Sequence, residues 1–75
     1  MLAEAATGPE EAIAVNTEMI RQAPDDVAAL NRLGRAFEAI GRVDEAKQTF
    51  RNVLGRNPNN PIALRHLREL ERAHP

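Results

Sequence analysis

Apolar residues fall along this chain at spacings of three and four, and each such run is bounded by a proline, a glycine or a capping acid or amide. Behind Gly8-Pro9-Glu10-Glu11, the residues Ala12, Val15, Met19 and Ile20 keep helical spacing. Proline suits the first helical position, and acids suit the positive end of the helix dipole. This run predicts a helix to about Gln22. Pro24 ends it, and Asp25 is placed to cap the next by accepting backbone N–H bonds. The second helix carries Leu30, Leu33, Phe37 and Ile40 and stops at Gly41, a residue suited to a left-handed terminator. A third begins near Val43-Asp44-Glu45, carries Ala46, Phe50, Val53 and Leu54, and ends between Gly55 and Asn57. Asn59 or Asn60 caps a fourth, which Pro61 opens, with Leu64, Leu67 and Leu70 on its apolar side. No stretch alternates with a period of two, so the expected fold class is all-α. Connections of about three to five residues make consecutive helices antiparallel.

The same pattern recurs. A shift of 34 places lays Glu11-Ala12 on Glu45-Ala46, Pro24 on Pro58, Ala29-Leu30 on Ala63-Leu64 and Leu33 on Leu67. It also lays Glu4-Ala5 on Glu38-Ala39. One ungapped shift serves the whole chain, which is the signature of a repeated helix pair.

Residues 27–60 resemble one complete tetratricopeptide repeat. The resemblance rests on Leu30, Leu33-Gly34 and Phe37 along one helix and on Ala46, Phe50 and the closing Pro58 on the next; only the leading tryptophan is replaced, by Leu30. It implies a single domain over residues 1–75: a partial repeat over 1–26, the complete one, and a C-terminal capping helix over 61–75. It also implies that two and a half to three helix-turn-helix units, about four helices, stack into a short right-handed curved slab. Gly34 and Ala46 are expected where the helices cross, with Leu30, Leu33, Phe37, Phe50 and Val53 filling the space around them. The ends depart from the pattern. Arg68 stands at the place of Gly34 and Glu71 at that of Phe37, as expected of a solvated cap. Asn16 stands at the place of Phe50, which fits a helix without its usual neighbour.

Composition narrows the chemistry. The chain has no serine and no cysteine, so neither usual acyl-transfer nucleophile is present, nor a disulfide or thiolate metal site. His66 and His74 lack the four-residue spacing of paired zinc ligands and are expected to face solvent. The paired acids Glu10-Glu11, Asp25-Asp26 and Asp44-Glu45 all sit at helix starts, where the dipole explains them. There is no phosphate-binding glycine loop. No catalysis, cofactor or metal is expected. Nucleic acid is disfavoured because the net charge is −1 and both aromatics, Phe37 and Phe50, are assigned to the core. No apolar run approaches the roughly 20 residues that span a bilayer, so no membrane role is expected. Met1-Leu2-Ala3-Glu4 lacks the features of a signal peptide, and a cytoplasmic setting is expected.

The expected function is therefore protein binding. The resemblance places Asn31, Arg35 and Glu38 on the inner face of one helix, and Arg65, Glu69 and Arg72 on that of another, as a groove for a peptide. Arginine forks suit carboxylates. One subclass of the family clamps acidic C-terminal tails with lysine and asparagine; here Asn31 stands where that lysine is wanted and Arg35 where that asparagine is, so such a clamp is not expected. The alternative is self-association through complementary half-repeats. Residues 1–26 hold one arginine against six acids and residues 27–75 nine basic groups against five acids, so the two ends attract. Ile13, Val15, Met19 and Ile20 would form the contact.

Overall fold

A computed structural model describes residues 8–75. Four helices follow one another: α1 (Pro9–Gln22), α2 (Val27–Ala39), α3 (Val43–Arg56) and α4 (Pro61–Ala73). No strand occurs among the described residues, and the all-α expectation holds. Helix α1 packs on α2, α2 on α3 and α3 on α4, a chain of neighbours measuring 39 × 28 × 17 Å. The expected match of residues 1–6 to the end of a preceding helix lies outside the described residues.

The repeat is visible in the backbone. Asp26 N donates to Ala23 O at 3.0 Å, and 34 residues on Asn60 N donates to Asn57 O at 3.0 Å. Each closes a turn with proline in its second place. In both, the last residue of the turn is the cap: Asp26 Oδ1 accepts from Ala29 N and Asn60 Oδ1 from Ala63 N, each at 3.0 Å. The cap of α2 is thus Asp26 rather than the expected Asp25. A proline-led turn needs all four residues to close, which carries the cap position one residue further. Asp25 instead points outward and accepts from Arg56 Nη1 at 2.6 Å.

At the end of α2, Gly41 has φ of +79°, the left-handed conformation that its lack of Cβ permits. Gly41 N donates to Glu38 O and Arg42 N to Phe37 O, at 3.1 and 2.9 Å. This pair of bonds is the Schellman arrangement, and the contact that usually accompanies it is here the Arg42 guanidinium, 5.0 Å from the centre of the Phe37 ring.

Between the helices lies a small core of Leu30, Ala46, Phe50, Val53, Ala63, Leu67 and Leu70. Phe50 is fully buried at its centre. Gly34 is small because of it: a Cβ there would lie 2.7–2.9 Å from the Phe50 ring. The close seam is therefore glycine against phenylalanine, with Ala46 fully buried beside it. Two expected core residues lie further out, since Leu33 and Phe37 are only half-buried. Leu64 was expected on the apolar side of α4, yet it is 36% exposed, whereas its counterpart Leu30 is 2% exposed. Nothing follows α4 to cover it among the described residues.

Candidate partner-binding site

The six residues expected to face a partner fall in three different settings. Asn31 is buried, and its Nδ2 donates to Asn60 Oδ1 at 3.2 Å. The carboxamide of Asn60 therefore caps α4 and holds α2 at once, so Asn31 acts inside the helix seam. Glu38 is half-buried, with Oε1 2.8 Å from His66 Nδ1. It shares with Glu69 a depression of about 410 Å³ whose apolar wall includes Val43, Leu70 and Ala73. Arg35 is exposed and borders a second groove, between α1 and α2, of about 400 Å³. Arg65 and Arg72 are exposed on α4 and line neither hollow.

The arginines divide by their commitments. Arg21 pairs with Glu18 at 2.8 Å, Arg51 with Glu71 at 3.1 Å, Arg56 with Asp25 at 2.6 Å, and Arg42 with Glu45. These pairs hold turns or join neighbouring helices. The hydrogen bond from Arg42 holds the Glu45 carboxyl below the usual glutamate range, and Gln22, then Arg21, does the same for Glu18. By contrast Arg35, Arg65, Arg68 and Arg72 make no salt bridge among the described residues. All four lie on α2 or α4, the first helices of their pairs.

His66 corrects an expectation. It does not face solvent freely: its ring stacks on Phe50, with centroids 5.2 Å apart and planes 17° from parallel, and its side chain is 19% exposed. The counterpart of this contact, 34 residues earlier, is polar. Asn16 stands for Phe50 and Arg32 for His66, and Arg32 Nε donates to Asn16 Oδ1 at 3.0 Å. Asn16 also donates to Ala12 O at 2.9 Å and is buried. The 34-residue shift lays Asn16 and Arg32 on Phe50 and His66, but the contact within either pair was not legible from it.

The four apolar residues considered for self-association separate as well. Ile13 and Ile20 are half-buried, while Val15 is 52% and Met19 38% exposed. Their counterparts in α3, Thr49 and Val53, are buried. Helix α3 packs on α2 and α4, whereas among the described residues α1 packs chiefly on α2.

Stacked, antiparallel helix pairs, related by one shift and carrying uncommitted arginines on alternate helices, define a helical-repeat interaction scaffold. A family model described as Tetratricopeptide repeat matches residues 4–71. The chain belongs to the tetratricopeptide repeat family. Comparison with curated proteins gave no match, and comparison with solved structures gave none. Repeats of this family are non-catalytic and generally mediate protein–protein interaction. No helix among the described residues is long and apolar enough to cross a membrane.

Proposed function

We propose that the chain binds a carboxylate-bearing peptide or helix of a partner protein across α2 and α4, with residues 61–75 as the closing helix of the scaffold. The observation that carries this reading is the set of arginines on the first helices, Arg35, Arg65 and Arg72, exposed and without salt bridges among the described residues. Planar guanidinium forks of this kind recognise carboxylates with two parallel bonds. Glu38 and Glu69 would select against acidic residues at their own depression and orient the ligand. Asn31 contributes by fixing the distance between α2 and α4.

The test is a titration of immobilised acidic peptides against the wild-type chain and the variant Arg35→Ala plus Arg65→Ala. Binding should fall about tenfold or more in the variant, with helicity by circular dichroism unchanged. Equal binding by both proteins would reject the reading.

The exposure of Val15 and Met19 favours self-association as a second reading. Light scattering at about 50 mM and about 500 mM salt decides it, since attraction between exposed ends weakens as the screening length shortens. A monomeric mass at both removes self-association.

A further inference from the structure

Met19, in the last turn of α1, is 38% exposed, and its Sδ lies 4.0 Å from Nη2 of Arg32 on α2. That guanidinium is held from behind. Arg32 Nε donates to Asn16 Oδ1 at 3.0 Å, and Asn16, 4% exposed, is itself fixed by donating to Ala12 O at 2.9 Å. Arg32 makes no salt bridge among the described residues, so no carboxylate there draws its Nη2 away from the sulfur. The inner repeat has nothing comparable. At the corresponding places, 34 residues on, Val53 is fully buried and His66 turns to Glu38. The contact also falls where the fold is least secured, since Asn16 alone is buried in α1 among the described residues.

A thioether is a weak hydrogen-bond acceptor, so the bond from Arg32 to Met19 adds little as it stands. Oxidation changes that. The sulfur gives an electron pair to one oxygen of a hydroperoxide and the O–O bond breaks. The departing oxygen takes up the proton shed by the transferred one, leaving as water or, from an organic peroxide, as an alcohol. Sulfur loses two electrons and the peroxide gains them. The product is a polar sulfoxide, whose formation inside an apolar core disrupts packing. At Met19 exposure to water removes most of that cost. An oxygen on Sδ also extends into the 4.0 Å gap, where the charged Nη2 can donate to it.

We infer that Met19 is a modification site for hydroperoxides, and that its sulfoxide oxygen fastens α1 to α2 through Arg32. The experiment compares the full chain before and after treatment with hydrogen peroxide, with fragment mass spectrometry locating the added oxygen. Met19→Leu, which retains Met1, measures the effect of oxidation elsewhere and should show no change in stability. In urea, the oxidised wild-type chain should unfold with an equilibrium constant about threefold smaller than that of the reduced chain. In Arg32→Ala the sign should reverse, and oxidation should raise that constant. Each protein is compared with its own unoxidised form, so the lost bond to Asn16 cancels. A second measurement follows the new bond directly and needs only the wild-type chain. Exchange of the Arg32 Nη protons with solvent, read by nitrogen-15 NMR, should slow on oxidation. Sulfoxide reductases of both epimer classes should restore the starting rate. Equal shifts in stability for wild type and Arg32→Ala would overturn the inference. So would unchanged exchange at Arg32, or a chain in which Met1 takes up oxygen and Met19 does not.

Discussion

Gly34 and Gly55 illustrate how one residue type serves two ends. Gly34 has no room for a Cβ, because the fully buried Phe50 ring stands 2.7–2.9 Å from where it would lie. Neither Phe50 nor the helices holding it can retreat without opening the core, so Gly34→Ala should destabilise by about 1–3 kcal/mol. Gly55 lies inside α3 with nothing within 4 Å of its would-be Cβ and no positive φ. There Gly55→Ala should stabilise by about 0.4–1 kcal/mol, because it narrows the unfolded ensemble without strain. Thermal melts of the two variants should move in opposite directions. Small residues at 34 and 46 were legible from the repeat pattern. That the glycine answers to Phe50 was not, because spacing gives a helix face and not the atom opposite.

Capping separates the two turns that otherwise repeat each other. Asp26 and Asn60 do the same work for α2 and α4, each accepting a backbone bond at 3.0 Å. Asn60 also receives Asn31 Nδ2, and Asn31 is buried. Asp26→Ala should therefore cost about 1 kcal/mol, the ordinary value of a lost cap. Asn60→Ala should cost about 2 kcal/mol or more, since it also leaves a buried amide without an acceptor. Urea denaturation of the two variants measures that difference. Helix limits were readable to within a residue or two because proline, glycine and capping residues write them locally. What the sequence concealed were contacts across helices. His66 reads as a surface residue until α3 brings Phe50 beneath it, and Leu64 reads as core although it is 36% exposed where its counterpart Leu30 is buried.

At the scale of the whole molecule, each helix packs chiefly on its chain neighbours, so stability adds up along a line. Helix α3 holds the fully buried Phe50 and Val53, while in α1 Asn16 alone is buried among the described residues. Amide hydrogen exchange should therefore proceed through smaller openings in α1 than in α3. Uniform protection of both helices at the global unfolding energy would contradict a linear arrangement. The partner surfaces were legible only as residue types on a face. Their division among seam, depression and groove depends on how far the helices sit from one another, and no periodicity encodes that distance.

The polar pair Asn16–Arg32, standing where the inner repeat has Phe50–His66, has a practical outcome for anyone lengthening this scaffold. Hydrogen-bonded side chains tolerate wetting and release a visitor readily, whereas a stacked aromatic demands permanent shelter. Writing phenylalanine and histidine into positions 16 and 32 would replace that bond with a pair of rings, and the variant protein should associate more readily.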